Sequence, residues 1–201
     1  MTEWITSLTE SLGALGVALL MFVENVFPPI PSELVMPLGG YVATQGSGGS
    51  EGALVVMILA GTVGAVAGAL LWYWVGYRIG IDGLKTFSRR HGRWLTLTPE
   101  EIDKADRWFD RHGGKAVLIG RLIPTVRTFI SVPAGASGMP LGVFLIYTTA
   151  GTMLWTTILA LAGWWLGTQY DQVSRWLGPA STVVLAGLLI WYLYRVITFS
   201  R

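Results

Sequence analysis

The sequence predicts an all-α membrane protein that crosses a bilayer several times. Three observations support this class: 52% of the 201 residues are hydrophobic, only 13% are charged, and long uncharged stretches recur along the chain. A soluble domain of similar size has roughly 25% charged residues. The 26 glycines and 10 tryptophans agree with a bilayer, because helix interfaces in lipid favour small residues and tryptophan collects at the headgroup level.

Three stretches are uncharged and long enough to cross the hydrocarbon core, which requires about 20 apolar residues. They are residues 52–77, 140–170 and 176–194. A buried helix of a soluble protein could have the same composition, but three such helices in one short chain favour a membrane. We therefore predict about three full transmembrane helices.

Two further apolar stretches, residues 11–44 and 116–138, are interrupted by prolines and charges. Proline removes a backbone donor and clashes with the preceding turn, so neither stretch can be one straight helix. Irregular backbone at membrane depth needs cover from protein or a wet cavity. We interpret both as re-entrant helical hairpins; the alternative is a helix, a surface loop and a second helix. The residues predicted to shape the hairpins are Pro28, Pro31, Pro37, Pro124, Pro133 and Gly135.

The two interrupted stretches resemble each other, which predicts an internal repeat. Each has a charge ahead of its first proline, Glu24 in one and Arg121 in the other. Each precedes a long helix that contains Ala-Gly-Thr, at residues 60–62 and 150–152. Paired segments interrupted by glycine and proline indicate the binding site of a transporter.

Basic residues predict the orientation. No Lys or Arg precedes Arg78, whereas basic residues crowd the connection at residues 78–115. The positive-inside rule makes this connection cytoplasmic and also leaves the C-terminus in the cytoplasm. The hairpins then open from opposite faces, so the repeat is inverted, and we expect their tips to approach each other near mid-membrane.

A single membrane domain, residues 1–201, follows from these predictions. Its predicted parts are a first repeat at 11–77, the basic connection at 78–115, a second repeat at 116–170 and a C-terminal transmembrane helix within 176–201.

The basic connection contains one helix of the soluble type. Its start is a capping box, Thr98 to Glu101, with proline at the first helical position. Ile102 and Phe109 belong to an apolar stripe, and Gly113 ends the helix. We expect this amphipathic helix on the cytoplasmic surface, with its charges forming a solvated face.

The interrupted stretches contain four ionisable residues, Glu24, Glu33, Arg121 and Arg127. A charge at membrane depth costs at least about 2.5–3.5 kcal/mol, so such residues pair with each other or face a wet cavity. Two arginines offer planar, permanently charged forks suited to a phosphate. Two carboxylates in a partly dry site can take up and release protons. The alternative is two Glu–Arg ion pairs that only tie the hairpins together.

The motifs around these charges are FVENVFPPIPSE at residues 22–33 and GRLIPTVRT at residues 120–128. With Pro133, Gly135 and Met139, they resemble the DedA family of bacterial membrane proteins, also called the VTT or SNARE-associated domain family. The resemblance covers roughly residues 10–170 and departs at Arg78, where many members have glycine directly before arginine.

The resemblance implies a function and a location. Bacterial members of the DedA family include inner-membrane transporters that return undecaprenyl phosphate, the lipid carrier of wall synthesis, to the inner leaflet in a proton-motive-force-dependent manner. An acidic pair and an arginine pair are required in the family, and they match Glu24 with Glu33 and Arg121 with Arg127. The implied partners are an anionic polyprenyl phosphate, protons and membrane lipids. No cofactor and no nucleic acid is implied, and the oligomeric state is left open.

Two other classes compete with a polyprenyl phosphate flippase. A general phospholipid scramblase or a small-ion transporter would keep the fold and change the cargo. A membrane lipid phosphatase would need a nucleophile or general base, most often histidine, at the phosphate. His91 and His112 both lie in the basic connection, and the chain has no cysteine. The sequence therefore favours a transporter over an enzyme.

Overall fold

A computed structural model of the chain describes residues 12–27, 32–45, 50–95, 98–123 and 126–166. This part of the chain is helical and contains no strand, which confirms the predicted all-α class. Its helices are α1 (Ala14–Val26), α2 (Ser32–Gln45), α3 (Glu51–Leu95), α4 (Pro99–His112), α5 (Gly114–Arg121), α6 (Ser131–Ala136) and α7 (Leu141–Leu166).

Within the described ranges two helices are long and apolar enough to cross a membrane, namely α7 and the part of α3 from Glu51 to Arg89. They correspond to the first two predicted spans. Both expose large apolar side chains, for example Val63 at 66% and Ile146 at 68%, as contact with lipid rather than water would require. The third predicted span, residues 176–194, lies outside the described residues.

Helix α3 is longer than the sequence predicted, because it continues from the apolar stretch into the basic connection. It is interrupted at Gly80, whose φ is +66°, a left-handed conformation that glycine adopts without steric cost. Beyond this interruption the Nζ atom of Lys85 lies 2.5 Å from the Oδ1 atom of Asp103 in α4. Because α3 continues to Leu95 and α4 covers Pro99–His112, most of the basic connection is helical.

Each interrupted stretch belongs to its own compact unit. The first unit contains α1, α2, α3 as far as Ala69, and α7 from Thr148. The second unit contains α3 from Leu70, then α4, α5 and α6, and α7 as far as Tyr147. Both long helices thus contribute to both units. The predicted repeat boundaries, the re-entrant path and the inverted orientation stay predictions.

The first unit has an apolar core in which α1 packs against α2. Close crossings support this core. A side chain at Gly64 would collide with the carbonyl oxygen of Ala18, and one at Gly40 would collide with that of Ala160. Small residues let helix backbones approach closely in a bilayer. Members of the core include Val17, Leu20, Met21, Val35, Met36, Met57 and Ile58.

The prolines of the first interrupted stretch occupy two kinds of position. Pro28 and Pro31 lie outside the described residues, in the gap between α1 and α2. Pro37, predicted to shape the hairpin, lies inside α2. Its missing N–H leaves only the Glu33 carbonyl without a helical donor. Close packing of the Pro37 carbonyl against Gly163 of α7 supports the helix at this point.

Helix α4 of the second unit has the predicted boundaries and caps. Thr98 and Glu101 form both hydrogen bonds of the capping box, and Gly113 ends the helix with φ +53°. Ile102 and Phe109 are each 4% exposed, and α4 packs against α5 and α6. The predicted amphipathic helix is confirmed, while its cytoplasmic location stays a prediction.

The second unit is held together where α6 crosses α3. A side chain at Gly76 would collide with the Val132 carbonyl oxygen, and one at Gly135 would collide with that of Tyr73. The Tyr73 hydroxyl donates a hydrogen bond to the Met139 carbonyl oxygen at 2.5 Å. Gly135, predicted to shape a hairpin, therefore lies at the closest approach between these two helices.

The two prolines of the second stretch also differ in position. Pro133 is the third residue of α6, where a missing N–H costs little because the first four donors of a helix have no intrahelical partner. Pro124 lies outside the described residues.

Candidate functional site

The first unit buries a polar pair near the end of α1. Glu24 and Asn25 are each 3% exposed and belong to the last turn of the helix. A Cβ atom at Gly68 of α3 would lie 2.7 Å from the Cβ of Asn25. Glycine at this position therefore lets α3 approach the polar turn closely, which fixes Asn25 and positions its neighbour Glu24.

The second carboxylate of the first unit lies at the opposite end of a helix. Glu33 is half-buried in the first turn of α2. The preceding residue, Ser32, is fully buried, and its hydroxyl accepts a hydrogen bond from the indole N–H of Trp155 at 3.4 Å. This contact anchors the start of α2 to α7. The positive end of the α2 dipole stabilises the Glu33 carboxylate.

The second unit buries two arginines in its interrupted stretch. Arg121 ends α5 and is 2% exposed, and its Nη2 atom donates a 2.6 Å hydrogen bond to the hydroxyl of Ser131 in α6. Arg127 is 7% exposed and lies in a hydrogen-bonded turn, where its backbone N–H donates to the Ile123 carbonyl. A side chain at Gly120 would meet Ile130 at 2.7 Å, so the stretch folds back on itself.

Two buried guanidinium groups concentrate positive charge in a short segment. Each is permanently charged and presents five N–H donors. In a low-dielectric environment their field on a nearby anion is stronger than it would be in water. Guanidinium groups are in general suited to oxyanions such as phosphate, and Ser131 fixes the orientation of the Arg121 guanidinium.

The structure distributes the predicted charged residues by sign. Both predicted carboxylates, Glu24 and Glu33, belong to the first unit, and both predicted arginines, Arg121 and Arg127, belong to the second. Among these four, Glu33 is the least buried.

Several buried polar residues of the two units were not predicted as functional. These side chains are neutral, so placing them in an apolar segment costs less free energy than placing a charge there, and the sequence does not single them out. For the threonines of α7, spacing was a usable signal, because they recur at every fourth residue and therefore share one face of the helix. The missed residues are Asn25, Ser32, Thr62, Ser131, Thr148, Thr152 and Thr156.

Long apolar helices with exposed apolar side chains, together with buried charges in broken segments, define an α-helical membrane protein. Known proteins agree. The sequence profile of the VTT domain matches residues 30–165. No solved structure matches the chain.

Three relatives illustrate the similarity. The chain is 40% identical to an alkaline phosphatase-like protein of Lactococcus lactis subsp. lactis, in an alignment covering 100% of this chain and 92% of the relative. It is 32% identical to undecaprenyl phosphate transporter A of Bacillus subtilis, with 98% and 93% covered. It is 27% identical to protein DedA of Escherichia coli, with 75% and 67% covered. The chain belongs to the VTT-domain family, the DedA family of membrane proteins.

Proposed function

We propose that the protein is a flippase that moves a polyprenyl phosphate, such as undecaprenyl phosphate, across the bacterial inner membrane with the help of the proton-motive force. The observation that carries the proposal is the burial of Arg121 and Arg127 in one interrupted stretch. Support comes from the 32% identity to a protein named undecaprenyl phosphate transporter A.

In this proposal the two arginines bind the phosphate headgroup. Bidentate guanidinium–phosphate pairs are strong and specific in geometry, and Arg121 is already oriented by Ser131. The polyprenyl tail stays in lipid, against apolar surfaces like those exposed on α3 and α7.

The carboxylates Glu24 and Glu33 exchange protons in this proposal. Carboxylates held at membrane depth are typical of proton relays in transporters. Both interrupted stretches are proposed to be re-entrant hairpins of an inverted repeat, with the C-terminus in the cytoplasm. The presence of one broken stretch in each compact unit supports a repeat.

Two alternatives share observations with this proposal. A general phospholipid scramblase or a small-ion transporter could use the same fold with another cargo. A lipid phosphatase is favoured by one observation, the name of the Lactococcus relative. Each alternative predicts a different product in the same reconstituted system.

The test is transport by the full chain in liposomes that contain labelled undecaprenyl phosphate in one leaflet. Parallel vesicles contain a labelled phospholipid, and each set is measured with equal and with unequal pH across the membrane. We expect movement of the polyprenyl phosphate, faster with a proton gradient, and no release of inorganic phosphate. Movement of both lipids would indicate a scramblase, and release of phosphate would indicate a phosphatase. Movement of neither lipid, with intact vesicles and folded protein, would contradict lipid transport.

A further inference from the structure

The second unit contains a cavity beside the end of the apolar part of α3. Its volume is about 260 Å³, and it lies between Tyr73, Trp74 and Tyr77 of α3 and residues 138–141 at the start of α7. All of these residues belong to the second unit. Pockets that enclose a drug-sized ligand measure about 300–1,000 Å³. The cavity can therefore hold a segment of a lipid, with the rest of the lipid outside it.

The α3 side of the cavity is a fixed aromatic wall. The rings of Tyr73 and Tyr77 are stacked with their centroids 6.1 Å apart, and the ring of Trp74 is at 82° to both. Tyr73 is buried, donates a hydrogen bond to the Met139 carbonyl and stacks on Phe144 at 4.5 Å. Trp74 and Tyr77 are 48% and 53% exposed. The wall is thus anchored on its inner side and open on its outer side.

The outer side of the cavity lies where an apolar stretch ends. Residues 52–77 contain no charge, and Arg78 is the first basic residue of the chain. Tryptophan and tyrosine collect where the hydrocarbon core of a bilayer meets the headgroups. Trp74 and Tyr77, exposed directly ahead of Arg78, have this arrangement. The cavity therefore opens at the depth where the chains of a lipid join its phosphate.

A cation lies beside this opening. Arg78 follows Tyr77 directly and lies one helical turn after Trp74, and residues four apart are neighbours on a helix surface. Its side chain is exposed and forms no ion pair with the residues that the structure describes. Guanidinium groups bind phosphate in a bidentate manner, and basic residues next to a membrane helix attract anionic phospholipids. Charge complementarity therefore selects a lipid with a net negative charge.

We propose that the cavity binds an anionic phospholipid of the surrounding bilayer. Its phosphate pairs with Arg78, and the first part of one acyl chain lies between the aromatic wall and residues 138–141. The occupant is a resident membrane lipid that fills the space between α3 and the start of α7. The inference does not depend on which cargo the protein carries.

The first measurement tests the charge. The full chain in detergent is mixed with equal amounts of phosphatidylglycerol and phosphatidylethanolamine, and the lipids retained are counted by native mass spectrometry. We expect the wild type to prefer phosphatidylglycerol and Arg78→Gln to lose about fivefold of that preference. The control is Arg89→Gln, which removes an exposed charge from the same helix away from the cavity. Equal retention of both lipids by the wild type, or an unchanged preference in Arg78→Gln, would overturn the proposal.

The second measurement tests the cavity. Leu141→Trp places a large ring at its edge, and the matched control is Ile146→Trp, at an exposed position of α7 outside the cavity. A lipid that binds the folded protein raises its melting temperature. We expect phosphatidylglycerol to stabilise the wild type and Ile146→Trp but not Leu141→Trp. Wild-type retention and stabilisation in Leu141→Trp would show that the lipid binds elsewhere. If Leu141→Trp does not fold, the comparison of Arg78→Gln with Arg89→Gln still decides.

The third measurement separates a bilayer lipid from the proposed cargo. Undecaprenyl phosphate, added at the same concentration, should leave in place the phosphatidylglycerol whose retention depends on Arg78. Its preferential displacement would make the cavity part of the cargo path, and the assignment to a bilayer phospholipid would be wrong. The assignment would also be wrong if Arg127→Lys lost the retained phosphatidylglycerol while Leu141→Trp kept it, because the lipid would then be bound at the buried arginines.

Discussion

The two interrupted stretches of this protein have similar parts that are held in place in different ways. The first consists of helices of 13 and 14 residues that pack against each other around an apolar core. The second consists of helices of 8 and 6 residues, braced by the Arg121–Ser131 hydrogen bond and by α4. The acidic stretch is therefore fixed mainly by packing between its own two helices, and the basic stretch by a polar contact together with packing of α4 against both of its helices.

The two stretches also differ in how their helices support each charge. Glu33 lies in the first turn of α2 and Arg121 in the last turn of α5, where the helix dipole stabilises them by about 0.3–1 kcal/mol each. Glu24 lies in the last turn of α1, at the unfavourable end, and Arg127 lies in a turn. The helix dipoles therefore favour the charges of Glu33 and Arg121 more than those of Glu24 and Arg127.

The largest effect is expected from Arg127→Lys. Lysine keeps the charge and loses the bidentate fork, so transport of polyprenyl phosphate should fall about tenfold or more while the protein still folds. The measurement is flipping in liposomes at equal protein density. The control is Arg111→Lys, since Arg111 is exposed on α4. Normal transport by Arg127→Lys would mean that a point charge is sufficient and that the proposed fork is wrong.

The next comparison is between the two carboxylates. Glutamine resembles a protonated carboxyl group, so each of Glu24→Gln and Glu33→Gln should weaken the response of transport to a proton gradient, and Glu24→Gln should weaken it more. The reason is that the dipole of α2 supports the charge of Glu33 and no such support reaches Glu24. The assay is uptake at equal and at unequal pH. If both variants respond like wild type, neither carboxylate couples protons, and structural Glu–Arg pairing becomes the better interpretation.

A smaller, several-fold loss of transport is expected from Ser131→Ala. The hydroxyl of Ser131 accepts a charge-assisted hydrogen bond from Arg121, and this bond holds the guanidinium in one orientation. Removing it should weaken phosphate binding by loosening the guanidinium, so the apparent affinity should fall more than the maximal rate. Ser131→Thr keeps the hydroxyl and should restore affinity. Equal losses in both variants would point to packing instead of the hydrogen bond.

Local signals in the sequence accounted for much of the fold. The uncharged stretches predicted the apolar part of α3 and α7, and the capping box predicted α4, because apolar length and cap residues act over a few neighbours. The extension of α3 past Gly80 was missed, since its support includes the distant Lys85–Asp103 pair. Pro37 was predicted to shape the hairpin, yet it lies inside α2, where its carbonyl packs closely against the distant Gly163.

The predicted burial of charged residues drew attention to them in the sequence, whereas the buried neutral polar residues of the same units were not singled out. A glutamate or arginine in an apolar stretch is costly and therefore conspicuous. The contacts of Ser131, Asn25 and the threonines depend on partners that no local rule identifies, such as Thr62 and Thr156, which are 94 residues apart.

In each unit two helices cross closely at a glycine, and alanine substitutions at these glycines test whether the two units are equivalent. Gly64→Ala would force a methyl group onto the Ala18 carbonyl in the first unit, and Gly76→Ala would do the same to the Val132 carbonyl in the second. Backbone cannot yield as a flexible side chain can, so each should lower the free energy of unfolding by about 1–3 kcal/mol.

The control is Gly142→Ala, because nothing lies within 4 Å of its added Cβ and alanine favours a helix. Thermal unfolding in detergent gives all three values. If only one of Gly64→Ala and Gly76→Ala is destabilised, the two helix crossings are not equivalent, which counts against a structural repeat.

The smallest effect is expected from Thr98→Ala, which removes the cap of α4, a helix that packs against α5 and α6 of the basic stretch. Loss of an N-cap costs about 1 kcal/mol, so the melting temperature should fall by about 2–4 °C. Thr98→Ser keeps the capping oxygen and should melt close to wild type. Because α4 braces α5 and α6, the destabilised variant should also lose some affinity for polyprenyl phosphate while its proton response is unchanged. If the response to the proton gradient is lost while the affinity is kept, α4 supports the acidic stretch. The proposal that α4 braces the phosphate-binding stretch would then be wrong.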